Sequence, residues 1–447
     1  AVWTSASAKA GQKISPSVSL DYNSSQTAYK STIPPTNQFR PSMLKRIATK
    51  DVRMGMYINE FCGSWMDHPF WRSRFLLETE EDLKSIHASA IKELWIDTSK
   101  GLDVDASVAA VTEEQASEEA DALLDSLDQD GASSSMDLGA EIHKARKLHA
   151  HARSAVINMF DNVRMGRALN TEHANILVEE IASSVSRHPH AFISLARLKN
   201  ADEYTYLHCV AVCGLMIALA RQLRLPEEQV REAGMAGLFH DLGKMGISDS
   251  ILNKPGKLTR EEFSVMQKHS EMGAALLSKS GQVSDLVIDV CLHHHEKVDG
   301  SGYPHRLKDE EISLFAKMGA VCDVYDAISS DRPYKKGWLP AESIHKMAEW
   351  SRGHFDQRIF QAFVKTLGIY PTGSLVQLAS GHLAVVLEQN PNSLLTPRVK
   401  IFYSIRTRSA IPPQILDLSK LVGKNKIISR ESAEDWGLRN LESLWLG

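Results

Sequence analysis

The chain has 447 residues, 43% of them hydrophobic, enough for two or three domains with a proper core and too apolar for an intrinsically disordered chain. A formal charge of −4 excludes the basic footprint of a dedicated nucleic-acid binder, so no DNA partner is expected and any phosphate recognition must be local. Five scattered cysteines, Cys62, Cys209, Cys213, Cys291 and Cys322, exclude a disulfide framework and make the cytoplasm the expected compartment.

Residues 1–42 are rich in Ser, Thr, Pro, Lys and Ala, lack periodic apolar positions and have no continuous apolar stretch of a secretory signal. With Met43 reading as a start, they are expected to be a disordered or vector-derived leader. Over 43–102, short β-prone runs at 70–77 and 94–96 flank a helical stretch, EEDLKSIHASAI, which predicts a small α/β module. Trp65, Phe70, Trp71 and Phe75 are read as part of its core. Residues 103–136 turn to Asp, Glu, Ala and Ser and read as an exposed acidic linker.

From 137 the pattern is helical: a long element over 137–168, two shorter ones over 171–185 and 190–198, then an almost wholly apolar helix over 202–223. His143, His149 and His151 are expected on a solvated face. The apolar run Leu207–Ala220 is interrupted by His208 and falls short of the ~20 residues of a membrane span, so no membrane insertion is expected. Thr259 and Glu262 form a capping-box pattern that starts a helix near Arg260. Beyond Gly373 the runs alternate or are β-branched, predicting a β-rich appendage over 371–447 packed against the first module.

The densest chemistry lies between 240 and 304. His240 and Asp241 are adjacent, His269 follows, and His293, His294 and His295 are consecutive, with His208 and Asp323 more distant in sequence. Neutral imidazoles suit divalent first-row ions and a carboxylate can bridge two of them, so the set reads as a metal site. Adjacent helical residues point about 100° apart, so His240 and Asp241 can share an ion only near a helix end, beside Gly243 and Gly246. Lys244, one turn beyond His240, could reach an anion held there. Arg332, Lys335 and Lys336 form a compact basic cluster suited to phosphate oxygens.

The motifs HDLGK (240–244), NKPGKLTREEF (253–263), HHEKVDGSGYP (294–304) and DVYDAISSDRPYKK (323–336) occur in an order by which the chain from about 151 to 370 resembles the HD-GYP subgroup of HD-superfamily phosphohydrolases. The module before it is similar to a domain of unknown function that commonly precedes such units. The resemblance implies a mainly α fold, with an HD-type phosphohydrolase domain over 137–370. It also implies a metal-dependent phosphodiesterase that opens cyclic di-GMP to linear pGpG, with GMP as a further product compatible with the family, by attack of a hydroxide between two metals. His208, His240, Asp241 and Asp323 would hold one ion and Asp241, His269, His294 and His295 the second, with Asp241 bridging and His293 only a neighbour. Members with three metals carry a Glu one turn before the first ligand; here that position is Tyr204, and Glu203 points off the ligand face, so two ions are expected.

Iron or manganese is favoured by the resemblance, while nickel and zinc also suit the ligands. Asp241 and Lys244 are the expected catalytic residues, and Lys244, Gly302, Tyr303, Arg332 and Lys335 the expected substrate contacts. Gly302 to Pro304 is expected to be a wall of the site and a contact for signalling proteins; a dimer is compatible with the chain. The competing readings are a phosphohydrolase for another cyclic dinucleotide and a nucleotide-responsive binding module with weak catalysis.

Overall fold

The computed structural model describes residues 43–62, 74–89, 91–105, 107–125, 138–167, 169–196, 204–254, 256, 258–330, 337–390, 392–421 and 423–446. The expected leader over 1–42, the aromatic residues Trp65, Phe70 and Trp71, Glu203 and the basic cluster Arg332, Lys335 and Lys336 lie outside them.

The N-terminal module is a five-stranded sheet of order β3-β2-β4-β1-β5 in which every pairing is antiparallel. Its strands are β1 (Leu44–Ala48), β2 (Tyr57–Phe61), β3 (Phe75–Leu76), β4 (Glu93–Asp97) and β5 (Val111–Thr112). Helix α1 (Glu80–His87) begins where the Thr79 side chain accepts the Asp82 N–H at 3.1 Å, with three acidic residues in its first turn. Ile47, Ile58, Phe61, Phe75, Ile86, Leu94 and Ile96 close a core of its own. Phe75 is buried there, as the sequence suggested.

Of the stretch read as an acidic linker, residues 126–136 lie outside the described residues, and the part up to Asp125 is structured. Val111 and Thr112 pair with Arg46 and Lys45 on the free edge of β1, and α2 (Glu113–Asp125) packs against α13 (Pro340–His354). Its acidic residues are used rather than merely solvated: Glu119 faces Arg46 and Arg352, and Asp121 faces His345 and Arg430. Composition alone does not reveal those partners, because Arg46 lies upstream on β1 and His345, Arg352 and Arg430 lie more than 200 residues downstream.

The helical body comprises α3 (Leu138–Arg164), α4 (Thr171–Arg187), α5 (Pro189–Ala196), α6 (Tyr204–Gln222), α7 (Glu227–Phe239), α8 (Asp249–Leu252), α9 (Arg260–Gln267), α10 (His269–Ser280), α11 (Asp285–His293), α12 (Leu314–Ser329), α13 and α14 (Gln357–Leu367). Helix α6 is apolar all round because it is surrounded, packing against α3, α4, α5, α7, α12 and α14. By length and composition Thr205–Gln222 could cross a membrane, but 72% of it is buried inside the fold, the position of a core helix. His143 and His151 are exposed as expected, whereas His149 stacks on Phe192 with ring centroids 4.3 Å apart. The capping box is formed, with Thr259 Oγ1 accepting the Glu262 N–H and Glu262 accepting the Thr259 N–H.

The C-terminal strands β6 (Leu375–Leu378), β7 (His382–Asn390), β8 (Ser393–Ser404), β9 (Ser409–Asp417) and β10 (Ile427–Arg430) form an antiparallel sheet of order β10-β6-β7-β8-β9. The expectation that it rests on the first module is corrected. Val376, Leu378, Ala384, Val386, Val399 and Ile401 join the same core as Phe360 and Phe363 of α14, so alternation along the strands turns one face onto the helical body. On the first module's side, Arg430 of β10 pairs with Asp121 of α2.

Candidate metal centre

Five elements bring the motif residues together. Helix α6 supplies His208, the C-terminal end of α7 supplies His240 and Asp241, α10 opens on His269, α11 ends at His293 with His294 and His295 following, and α12 carries Asp323. The adjacent His240 and Asp241 meet because the helix ends between them: His240 keeps helical angles and Asp241, at φ −102° and ψ 9°, leaves the helix. Gly243 lets α10 in. A Cβ there would lie 1.8 Å from the His269 carbonyl oxygen, so a larger residue would force away the helix that carries a candidate ligand.

The seven side chains form two groups, each with its possible ligand atoms within 4.8 Å of one another: His208, His240 and Asp323, and Asp241, His269, His294 and His295. Asp241 faces both. Its Oδ2 lies 3.5 Å from His208 Nε2 and 3.3 Å from His240 Nε2, while its Oδ1 lies 3.3 Å from His269 Nε2 and 3.9 Å from His294 Nε2. Asp323 Oδ1 is 3.0 Å from His208 Nε2, and Asp323 Oδ2 is 3.6 Å from His295 Nδ1.

The rings are held in the ligating tautomer. A backbone carbonyl can only accept, so His240 Nδ1 on Gly237 at 2.8 Å, His269 Nδ1 on Met266 at 2.7 Å and His294 Nδ1 on Val290 at 3.1 Å must each carry the proton, which leaves Nε2 with a lone pair. Burial pushes the His269 imidazole down to about 4 and that of His294 to about 3, and holds His295 well below the usual range. His240 goes the other way: against its burial, the Asp241 and Asp323 carboxylates raise it. Burial also opposes ionisation of the carboxyls, yet Lys244 and His240 hold Asp241 well below the usual carboxylate range, and His208 with His295 does the same for Asp323. Deprotonated carboxylates beside the uncharged rings of His269, His294 and His295 are donors that a divalent cation needs.

The residues fit such ions on a second count. Asp241 Oδ1, Asp323 Oδ2 and His295 Nε2 are buried with no hydrogen-bond partner, a costly arrangement for a site that holds nothing.

Lys244 Nζ lies 2.5 Å from Asp241 Oδ2, so it reaches the centre itself. Tyr303 packs its ring over His295, centroids 4.6 Å apart at 30°, and Gly302 presses against the backbone of 295–297, where a Cβ would meet three backbone atoms at 2.5 Å. His293 is turned away, its Nδ1 2.7 Å from Asp289 and its Nε2 3.0 Å from His305. Arg332 and Lys335 fall outside the described residues.

Three contributors were not singled out from sequence. Asp326 meets His208 Nδ1 at 2.6 Å; it lies one turn beyond Asp323, and that spacing was the available signal. Glu296 is buried and accepts the N–H groups of His305 at 2.7 Å and Leu307 at 3.0 Å, folding the Gly302–Pro304 loop back over the histidines. Asp299, on the same strap, pairs with Lys92 of the N-terminal module, a contact between segments 207 positions apart that no local pattern announces.

Helices that converge buried histidines and aspartates on one point define an HD-type phosphohydrolase centre. A family model described as an HD domain matches residues 178–359, and one described as a domain of unknown function (DUF3391) matches 44–174, running past the module boundary expected at 102 into α3 and the start of α4. The chain is 55% identical over 406 residues to the cyclic di-GMP phosphodiesterase PA4108 of Pseudomonas aeruginosa, covering 91% of this chain and 96% of that protein. It is 42% identical over 183 residues to the cyclic di-GMP phosphodiesterase response regulator RpfG of Xanthomonas campestris, covering 38% and 47%. To a 3'3'-cGAMP-specific phosphodiesterase 2 of Vibrio cholerae it is 35% identical over 148 residues, covering 33% and 28%. The chain belongs to the HD-GYP family of HD-superfamily phosphohydrolases, with Gly302, Tyr303 and Pro304 as its GYP residues.

Proposed function

We propose that the protein is a cyclic di-GMP phosphodiesterase with two divalent cations, opening the ring to linear pGpG. One observation carries the two-ion reading: the two oxygens of Asp241 face different sets of histidines, which is what a bridging ligand requires. His208, His240, Asp241 and Asp323 hold one ion, and Asp241, His269, His294 and His295 the other. Two cations there would acidify water near neutral pH and offset the charge of a phosphodiester. Iron or manganese suits the family, and His and Asp ligands accept nickel or zinc as well.

The chain's own residues do the rest. Lys244 places a cation beside Asp241, where it steadies a phosphate oxygen as negative charge grows. Arg332 and Lys335 grip the second phosphate through charge-assisted hydrogen bonds. Gly302 and Tyr303 wall the site beside His295, and the same loop offers a surface to signalling proteins. The free cysteines and a nucleotide substrate support a cytoplasmic location.

Cyclic di-GMP is preferred as substrate because the 55% identity to a protein named for it extends over 406 residues, against 35% over 148 for the cGAMP-specific relative. Elemental analysis of anaerobically purified protein, paired with chromatography of cyclic di-GMP after incubation, tests the proposal. Two ions per chain with pGpG formed are expected, both lost in Asp241→Ala. Turnover of 3'3'-cGAMP but not of cyclic di-GMP would move the substrate, and an Asp241→Ala protein that keeps both ions would remove the bridge.

A further inference from the structure

His240, His269 and His294 each satisfy Nδ1 with a carbonyl of the preceding helical turn. At His208, Nδ1 lies 2.6 Å from Oδ2 of Asp326, and the two side chains are 2% and 3% exposed. Helix α12 therefore serves His208 twice: Asp323 stands 3.0 Å from its Nε2, and Asp326, one turn on, stands behind its Nδ1. A carbonyl offers that proton a dipole, whereas a carboxylate offers a full charge and makes the opposite nitrogen a stronger donor to a cation. The Ser330 hydroxyl, 3.4 Å from the other oxygen of Asp326, helps hold the carboxylate in place.

The two groups of ligands also differ in charge. The first has Asp323 directly, Asp326 behind His208 and the Oδ2 side of Asp241. The second has three imidazoles and the Oδ1 side of Asp241, with no carboxylate of its own. Lys244 sits on the Oδ2 side and offsets one negative charge of the first group, which still leaves that group the more negative.

We propose that Asp326 is a positioning residue that, through His208, makes the His208–His240–Asp323 group the tighter of the two cation sites, so that it fills first and empties last. This rests on the reading of the seven side chains as metal ligands.

The test is titration of the chelator-stripped full chain with manganese(II), following free ion by electron paramagnetic resonance. The unsubstituted protein should bind two ions in two classes separated by about tenfold or more. Asp326→Asn keeps an oxygen to accept the Nδ1 proton and removes the charge. It should weaken the tighter class by about 10–100-fold and leave the other nearly unmoved. A role confined to filling space and accepting the hydrogen bond would leave both classes unchanged in Asp326→Asn, and that result, or equal weakening of both, overturns the proposal. Two further variants do not depend on how Asp326→Asn folds. His295→Gln should spare the tighter class and His240→Gln should remove it; the reverse pattern overturns the assignment. An unsubstituted protein that takes up no manganese refutes the ligand reading itself, whereas two classes of binding with no hydrolysis of cyclic di-GMP count against the substrate alone.

Discussion

The ring of Tyr303 lies over that of His295, centroids 4.6 Å apart at 30°, and the Tyr303 N–H donates to the His295 carbonyl at 3.3 Å. The GYP loop is thus packed onto a candidate metal ligand rather than standing apart from it. Tyr303 also lies 6.4 Å, edge-on, from both His269 and Phe263. Movement of this loop would move His295.

Gly302 makes that packing possible, because a Cβ would meet His295 O, Glu296 Cα and Lys297 N at 2.5 Å and backbone cannot yield as a side chain tip can. Gly302→Ala should destabilise the protein by about 1–3 kcal/mol and lower its content of the more weakly held ion. Thermal denaturation and elemental analysis of the same preparation check both. A variant with wild-type midpoint and full metal content would mean that the loop is free to shift without cost.

Lys244 contacts the carboxylate that faces both groups of histidines, yet offers no lone pair to a cation while protonated. Lys244→Ala should keep both ions, since an ammonium competing for Asp241 Oδ2 is gone, and should lower kcat by about 10²–10³-fold. Loss of metal in this variant would recast the lysine as a support for Asp241 instead of a group that acts on the substrate.

Much of the residue cluster was legible because its candidate ligands sit in short motifs with distinctive spacing, and the helix that ends between His240 and Asp241 could be inferred from Gly243 and Gly246. The helices were legible from apolar periodicity, and α6 from its apolar character on every face. What was not legible is pairing over distance. Val111 and Thr112 add a strand to β1, and Glu119 and Asp121 find cations on α13 and β10, so a segment that looks like linker by composition is structured by partners remote in sequence. Asp326 was visible as a residue on the right helix, but whether it faced His208 or solvent depended on the rotation of α12 against α6.

The N-terminal module reaches the centre through one such remote pair. Lys92 pairs with Asp299, whose carboxylate also accepts the Ser301 N–H at 2.8 Å and whose own N–H donates to Gly353 at 3.2 Å. Arg260 at the start of α9 donates to Ser85 of α1 at 2.8 Å, a second link between the module and the helical body. The Lys92 side chain is 59% exposed, so its pair should contribute no more than about 1 kcal/mol. Lys92→Ala should therefore leave the thermal midpoint nearly unchanged while amide exchange over 297–306 accelerates. Unchanged exchange across that strap would mean that the module touches the loop without steadying it.

Acid should weaken the fold through a histidine remote from the metal centre. Burial, with the neighbouring His188 acting in the same direction and Glu388 partly offsetting it, pushes the His190 imidazole down to about 4. In the unfolded chain the ring takes up its proton near pH 6.5. Between those values the unfolded state binds a proton that the folded state refuses, so the stability present above pH 6.5 is lost progressively as the pH falls towards 4. At pH 5 the loss from this ring should be on the order of 1–2 kcal/mol. His190→Phe removes the titrating group and should flatten the fall in thermal midpoint between pH 7 and pH 5 when the two proteins are compared at equal metal loading, which cancels the ligand histidines. Parallel curves would place the acid sensitivity elsewhere in the chain.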